Sequence, residues 1–261
     1  MNYLGLLAVA LSIVTFALVY RQLRARSTSV RLLTLSVLAL LAVPSILFAI
    51  YYLHILPEHA WFYTFHSWRG TEFLVLFLGG AGGALATLLP RFLLAFPLAA
   101  VIGLGIIPHL KPLLGPLPES AFRERWKGAT CLQSTPSTCG AASVATILRH
   151  LGVTTTEQAV ARAAFSYTGG TEAWYLARYV RSRGLAAHFS FQPSFAPEVG
   201  LPALVGVRFG ALGHFIAVLG VKDGQVSFAD PLSGPAQLPL EQFQQRYQFT
   251  GFHMVVAPGS S

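Results

Sequence analysis

The sequence predicts an α-helical membrane domain of about four transmembrane helices, followed by an α+β domain. Of its 261 residues, 54% are hydrophobic and only 11% are charged, which is more apolar than a soluble domain normally is. The apolar residues are concentrated in residues 1–110, where Glu58 and Glu72 are the only acids. We therefore expect a transmembrane domain at 1–110, a proline-rich linker at 111–125 and a water-soluble domain at 126–261.

The first two apolar runs are predicted to cross the membrane as helices. The run at 4–20 is close to the shortest length that spans a bilayer. A cleaved signal peptide is an alternative for this run, but the positive charges follow it instead of preceding it, which favours an uncleaved span. The second span is expected at 32–53, and Pro44 within it is tolerable because neighbouring helices can bind the freed carbonyl.

The next apolar stretch is predicted to form two further spans. Residues 57–71, which precede it, are rich in Trp, Tyr and His, a composition typical of a membrane-interface loop. The run at 73–109 is too long for one crossing and is interrupted by Leu-Pro-Arg at 89–91, which predicts two helices joined by a tight turn. Four glycines in the first of these helices would allow another helix to pack closely. They are Gly79, Gly80, Gly82 and Gly83.

Positive charges between the first two spans predict the orientation. The loop there contains Arg21, Arg24, Arg26 and Arg31. The positive-inside rule places this loop in the cytoplasm, so four spans would put the C-terminal domain on the extracytoplasmic side of a bacterial inner membrane. The basic residues at 111–127 favour the opposite orientation, but long C-terminal domains carry less weight in this rule.

The composition argues against several classes of function. The net charge of +8 is not gathered into one basic tract, and arginines beside apolar runs are typical of membrane flanks, so no nucleic-acid partner is expected. The chain contains no Gly-Lys-Ser/Thr phosphate loop, which argues against an ATPase. His54, His59 and His66 match no compact spacing of metal ligands, so an interfacial role is favoured over a metal site.

The stretch CLQSTPSTCGAAS at 131–143 contains the only two cysteines of the chain. Thr138 is a suitable N-cap, and an apolar stripe with helical period follows it, so Cys139 is predicted in the first turn of a buried helix. The dipole and the free amide groups at that position favour the nucleophilic thiolate. A disulfide between Cys131 and Cys139 is an alternative. Zinc is disfavoured because it needs about four ligands and no second Cys/His cluster is present.

His214 stands out among the histidines by its setting, GHFIAVLGVKDGQVSFADP. Two strands joined by an Asp-Gly turn form a predicted hairpin that brings His214 and Asp230 to the same end of a sheet. A two-residue turn would set Asp230 opposite Ala217, so a bulge or a bend is required for the two side chains to meet. From these residues alone, structural roles for both are as well supported as catalysis. His150 and His253 are interpreted as structural.

Several motifs in order along the chain carry a resemblance to a known family. Gln133 precedes Cys139 by six positions, Gly140 opens a helix of small residues, and GGTEAWYLARYVRSRGL, the His214 hairpin and LEQFQQRYQFTGF follow. Over roughly residues 126–254 this pattern resembles cysteine peptidase family thirty-nine, the papain-like peptidases that process double-glycine leaders in bacteriocin export.

The resemblance implies a papain-like cysteine peptidase domain at 126–261 and gives each motif residue a role. Cys139 would be the nucleophile, His214 the general base and acid, Asp230 the residue that orients the imidazole, and Gln133 an oxyanion-hole donor. No cofactor or metal is implied, and the implied partner is a peptide or protein precursor.

The chain departs from the family pattern in two respects. The residue before the nucleophile is usually Asp, whereas this chain has Thr138. The best-known relatives place the peptidase before the membrane helices of an ATP-driven exporter, whereas the order here is reversed. Neither export nor a bacteriocin substrate is therefore carried over.

The resulting hypothesis is a membrane-anchored cysteine endopeptidase that cleaves a leader or precursor peptide near the bilayer, after small residues such as Gly-Gly, through a thioester acyl-enzyme. The alternative is a non-catalytic module that binds a leader peptide for a separate membrane export or assembly machine. Acyl or peptidyl transfer shares the same acyl-enzyme and stays open. Cys131 has no assigned role.

Overall fold

The computed structural model describes residues 2–210 and 212–259. Within them the chain forms two compact units, which we call the helical unit and, after the family that the sequence resembles, the peptidase unit. The helical unit comprises Met1–Glu58 and Arg69–Leu114. The peptidase unit comprises His59–Trp68 and Gly115–Ser261.

The regular elements are numbered in chain order. The helices are α1 (Tyr3–Leu23), α2 (Thr28–Tyr52), α3 (Ala60–His66), α4 (Val75–Ala86), α5 (Ala95–Leu114), α6 (Cys139–His150), α7 (Glu157–Ala163), α8 (Ala173–Ser182) and α9 (Leu240–Arg246). The strands are β1 (Arg125–Lys127), β2 (Thr130–Leu132), β3 (Leu185–Phe191), β4 (Ala203–Phe209), β5 (Leu212–Lys222), β6 (Gln225–Asp230), β7 (Gly234–Pro239) and β8 (Gln248–Pro258).

Three helical segments among the described residues are long and apolar enough to cross a membrane, namely Tyr3–Leu23, Thr28–Tyr52 and Arg91–Leu114. The remaining predicted span is a shorter apolar segment, Thr71–Ala86. The helical N-terminal region is thus confirmed with three candidate spans instead of about four. The helix of this segment ends at Ala86, and the hydroxyl of the next residue, Thr87, donates to the carbonyl of Ala84 at 2.7 Å.

The glycines of α4 allow it to pack closely within the helical unit, as the sequence predicts. A Cβ atom at Gly79 would collide with the backbone carbonyl of Ser12, and one at Gly83 would collide with the carbonyl of Phe16. Both partners belong to α1, so these glycines let the two helix backbones approach directly.

The peptidase unit confirms the predicted α+β class. Its six-stranded sheet, counted over the described part of the chain, has the order β3-β8-β4-β5-β6-β7 with every neighbouring pair antiparallel. Helix α6 packs against β4, β5 and β6, and its segment from Cys139 to Leu148 is buried. The separate β1–β2 ribbon leads into α6. The sheet therefore supports the helix that begins at Cys139.

The segment His59–Trp68 lies in the peptidase unit, although it comes from the sequence between two apolar helices. Its helix α3 contacts β3 and α8. The aromatic residues of this segment therefore supply packing within a folded unit.

Candidate active site

Cys139 is the first residue of α6 and is 7% exposed. The side chain of Thr138 does not cap this helix, contrary to the sequence expectation. Its hydroxyl instead donates to the carbonyl of Thr135 and accepts the Thr135 amide proton, both at 3.1 Å. Thr138 therefore closes the turn before α6, and the first amide groups of a helix have no intrahelical partner. These groups create a positive environment around the Cys139 thiol.

The hairpin that contains His214 and Asp230 has the irregularity that the sequence argument requires. Strands β5 and β6 pair on both sides of Leu219, but the register shifts between Val218 and Gly220. Leu219 is thus the additional residue of a β-bulge. Beyond the bulge, each residue of β6 therefore pairs with the β5 residue one position earlier than an unbulged hairpin would give.

This shift places Asp230 on the same face of the hairpin as His214. Ala217 pairs with Ala229, so the next position along β6 puts Asp230 opposite Ile216. Side chains two residues apart on a strand point to the same face, which makes His214 a diagonal neighbour of Asp230. His214 Nε2 and Asp230 Oδ1 are 3.0 Å apart, and both residues are buried.

The charge state of His214 follows from its two polar neighbours. Burial alone would lower its pKa, but hydrogen bonds to Asp230 and Cys139, together with the negative charges of both groups, raise the pKa from 6.5 to about 9. Because Nε2 is bonded to Asp230, Nδ1 is the ring nitrogen that remains for Cys139. The structure therefore brings Cys139, His214 and Asp230 into one connected arrangement with a protonated imidazole at neutral pH.

Asp230 is held in its ionised form by three donors. Burial raises the pKa of its carboxyl group, but the hydrogen bonds from His214, the Leu232 amide and the Tyr247 hydroxyl, with the charge of His214, lower it overall. The Leu232 amide donates to Oδ1 at 2.9 Å, and the Tyr247 hydroxyl donates to Oδ2 at 3.1 Å. Sequence reasoning missed Tyr247, since its only signal was its position within the closing motif LEQFQQRYQFTGF.

Gln133 is joined to the Asp230 loop through the backbone. Its amide donates to the carbonyl of Pro231 at 2.9 Å, which brings it next to the end of β6. Its side-chain Nε2 donates to the carbonyl of Thr135 at 2.8 Å, and its side chain is largely buried. An Nε2 group carries two protons, so one is used in this contact and one is left for another acceptor.

Glu157 fixes the residue that follows Gln133, and sequence reasoning missed it as well. The amide of Ser134 donates to Glu157 Oε1 at 2.7 Å, and the Ser134 hydroxyl donates to Oε2. Glu157 is 1% exposed. A buried carboxylate that accepts two hydrogen bonds from one residue restrains the loop that carries Gln133.

Cys131 lies in a different environment from Cys139. Cys131 and Cys139 are both free thiols and form no disulfide with each other. Cys131 is fully buried, and burial together with the charge of Glu157 raises its pKa to about 12. Its thiol is therefore protonated at neutral pH and unreactive.

His150 and His253 of the peptidase unit lie outside this arrangement. His253 is buried, with Nδ1 bonded to the carbonyl of Gly251 at 3.0 Å and the Ala196 amide directed at Nε2 at 3.5 Å. His150 is exposed at the end of α6. Over the described ranges, no group of three or more His, Cys, Asp or Glu side chains is arranged to hold a metal ion.

Comparisons with known proteins find relatives of the C-terminal part of the chain. The sequence profile of the peptidase C39 family matches residues 127–261. An uncharacterized protein of Methanothermobacter marburgensis is 32% identical over 124 residues, which are 48% of this chain and 84% of that protein. FapD of Pseudomonas aeruginosa, named as a probable functional amyloid protease, is 26% identical over 144 residues, which are 52% of this chain and 64% of FapD.

Similar solved structures cover about half of this chain. One is a double-glycine motif protease from the AMS/PCAT transporter, solved in complex with the leader peptide. It is 26% identical, with a TM-score of 0.43, and the match covers 52% of this chain and 95% of that chain. The peptidase domain of Streptococcus ComA is 21% identical with a TM-score of 0.42, covering 49% of this chain and 96% of that chain.

Proposed function

We propose that this chain, which belongs to the peptidase C39 family, is a membrane-anchored cysteine endopeptidase with Cys139 as the nucleophile. The observation that carries this proposal is the His214–Asp230 pair, 3.0 Å apart, whose imidazole also interacts with Cys139. A thiol at a helix start beside an imidazolium that a carboxylate orients is the arrangement that thiol acyl transfer requires.

The first chemical step forms a thioester. The Cys139 thiolate attacks the carbonyl carbon of the scissile peptide bond, so an S–C bond forms and the carbonyl oxygen becomes an oxyanion. The imidazolium of His214 then gives its proton to the departing amine while the C–N bond breaks. Asp230 keeps the ring in the required orientation throughout.

The second step releases the product. A water molecule attacks the thioester carbonyl, and neutral His214 takes its proton as general base. The S–C bond breaks, the carboxylic acid leaves, and Cys139 and His214 return to the thiolate–imidazolium pair. Atoms and protons balance without any cofactor.

Gln133 is the proposed side-chain donor to the oxyanion. One proton of its Nε2 is held by the Thr135 carbonyl, and the second would bind the oxyanion together with the backbone amide of Cys139. Preorganised amide donors stabilise a developing oxyanion because they need no reorientation during the reaction.

The proposed substrate is a leader or precursor peptide cut near the bilayer after small residues such as a Gly-Gly pair. The support for this specificity is the resemblance of the Gln133, Cys139, His214 and Asp230 motifs to double-glycine leader peptidases. The support for anchoring is the presence of three candidate spans among the described residues. With Thr71–Ala86 as a fourth crossing, the arginines around the junction of α1 and α2 would place the peptidase unit on the extracytoplasmic side.

Alkylation of the purified full-length chain tests the mechanism without a known substrate. We expect iodoacetamide at neutral pH to modify Cys139 selectively, and His214→Ala to slow this reaction by about tenfold or more because the imidazolium that stabilises the thiolate is lost. The matched control is His150→Ala, which removes an exposed histidine from the helix of Cys139.

The same measurement distinguishes the non-catalytic alternative. A module that only holds a leader peptide has no need for an activated thiol, so it would show alkylation of Cys139 at the rate of an ordinary cysteine, with no dependence on His214. That result would contradict the proposed peptidase.

A further inference from the structure

The segment His59–Trp68 is packed into the peptidase unit by aromatic contacts. Tyr63 of α3 lies with its ring centroid 5.3 Å from that of Trp174, 5.4 Å from Phe189 and 5.7 Å from Phe252. These partners belong to α8, β3 and β8. Tyr63 is 6% exposed, so its side chain is part of the buried core of the unit.

Two arginines of α8 fix the C-terminal end of α3. Arg178 donates to the carbonyl of His66 through Nε at 3.0 Å and Nη2 at 2.7 Å. Arg181 donates to the hydroxyl of Ser67 through Nη1 and to the carbonyl of Ala187 through Nη2 at 2.7 Å. Cations at a helix C-terminus satisfy its free carbonyl groups and its dipole. The segment is therefore bound in one defined position and orientation.

Because His59–Trp68 packs in the peptidase unit, the chain between residues 68 and 115 must cross the bilayer an even number of times. Two apolar segments lie between them, Thr71–Ala86 and Arg91–Leu114. If only the longer segment crossed, His59–Trp68 and Gly115–Ser261 would be on opposite sides and could not form one unit. Because they do form one unit, the shorter segment must cross as well.

The surroundings of the shorter segment are compatible with a crossing. Its sixteen residues, four in a 3₁₀ turn and twelve in α4, reach about 24 Å at ~1.5 Å per residue, against about 30 Å of hydrocarbon. Most of α4 is buried, and it packs against α1, α2 and α5. A helix enclosed by longer helices has little contact with lipid, so its length need not match the bilayer.

We propose that His59–Trp68 is an internal docking segment of the peptidase unit, that it lies on the same side of the bilayer as Gly115–Ser261, and that Thr71–Ala86 is a short fourth crossing. The peptidase unit is thereby tethered to the membrane helices by both ends of the docking segment and by the chain that follows α5. This inference rests on the proposed membrane anchoring but not on the proposed chemistry.

Cysteine labelling of the full-length chain tests the topology. Single cysteines are placed at exposed positions by His59→Cys, Gln237→Cys and Ser27→Cys, in a background of Cys131→Ser with Cys139→Ala. Sealed right-side-out and inside-out vesicles are treated with a membrane-impermeant maleimide. We expect His59→Cys and Gln237→Cys to react in the same vesicle type and Ser27→Cys in the other, because α2 separates residue 27 from residue 59. Arg91→Cys, an exposed position between the two proposed crossings, should react together with Ser27→Cys, and its reaction together with His59→Cys would overturn the fourth crossing.

The outcomes separate the topology from the function. Labelling of His59→Cys and Gln237→Cys in opposite vesicle types would overturn the proposal, and release of the protein by carbonate washing would overturn the anchoring and the topology together. The background lacks the nucleophile, so a failure of the proposed chemistry cannot influence either result.

Limited proteolysis of the full-length chain tests the docking itself. Tyr63→Ala removes a buried ring, so cleavage within the peptidase unit should accelerate by more than about tenfold. Trp61→Ala is the matched control, because Trp61 is an aromatic residue of the same helix that is 54% exposed. Equal cleavage rates for the two variants would contradict the docking role of Tyr63.

Discussion

The hydroxyl of Tyr247 donates a hydrogen bond to Oδ2 of Asp230 at 3.1 Å, while the other carboxylate oxygen bonds to His214. Asp230 is thus held from both sides. Tyr247 is therefore expected to keep the carboxylate aligned with the imidazole.

We predict that Tyr247→Phe reduces the rate of Cys139 alkylation at neutral pH by about tenfold, the equivalent of roughly 1.4 kcal/mol. The loss of the hydroxyl removes one of the hydrogen bonds that lower the pKa of Asp230. Tyr179→Phe is the control, since its hydroxyl bonds to Thr155 away from the site. An unchanged alkylation rate in Tyr247→Phe, with an unchanged melting temperature, would contradict a role of Tyr247 in positioning Asp230.

The elevated pKa of His214 predicts a specific pH dependence. The ratio of the alkylation rates with iodoacetate and iodoacetamide should be high while the imidazole is charged, because the anionic reagent is attracted to it. The ratio should fall as the pH rises through about 9. The charged form of His214 also contributes to the free energy of unfolding. This contribution is fully present below pH 6.5 and is lost as the pH rises through about 9.

Asp230→Asn should move that midpoint to lower pH, because the hydrogen bond and the charge of Asp230 both raise the pKa of His214. Asp223→Asn, a change in the exposed turn between β5 and β6, is the matched control and should leave the midpoint in place. A midpoint that Asp230→Asn does not move would contradict the pairing of His214 with Asp230.

Much of this site is predictable from local sequence. The start of a buried helix at Cys139 follows from the apolar stripe after it. The number of residues between His214 and Asp230 around the Asp-Gly turn predicts a bulge, because without one their side chains would lie on opposite faces. The register shift between Val218 and Gly220 confirms that requirement.

The residues that sequence reasoning missed act across long separations in the chain. Tyr247 lies 17 positions from Asp230 and Glu157 lies 23 positions from Ser134, and neither distance follows any helical or strand period. The docking of α3 was missed for another reason. Trp, Tyr and His are typical both of a membrane-interface loop and of a buried aromatic cluster, so their presence does not predict the packing of α3.

Glu157 is predicted to act on the oxyanion hole and not on the nucleophile. Glu157→Gln should weaken inhibition by a peptide aldehyde ending in glycinal by roughly tenfold, because the hemithioacetal oxygen that the aldehyde forms needs the Gln133 loop in place. The same variant should leave the iodoacetamide rate unchanged, since alkylation forms no oxyanion. Glu119→Gln, at an exposed ion pair with Arg162, is the control. Parallel losses in both assays would indicate a general structural effect instead.

Cys131 is predicted to have no redox role. Because its thiol is buried and its pKa is raised to about 12, Cys131→Ala should alkylate at Cys139 as fast as the unaltered chain, with or without dithiothreitol. Activation of the unaltered chain by reductant that disappears in Cys131→Ala would instead support a regulatory disulfide with Cys139.

N-terminal proteomics of the native host tests directly whether Cys139 cleaves a precursor peptide. The host with the unaltered gene is compared with hosts carrying Cys139→Ala or Cys131→Ala. We predict that at least one membrane-associated or secreted protein loses its processed N-terminus, generated after small residues, in Cys139→Ala but keeps it in Cys131→Ala. Identical sets of N-termini in the unaltered and Cys139→Ala hosts, with both proteins present at equal levels, would contradict the proposed peptidase activity of Cys139.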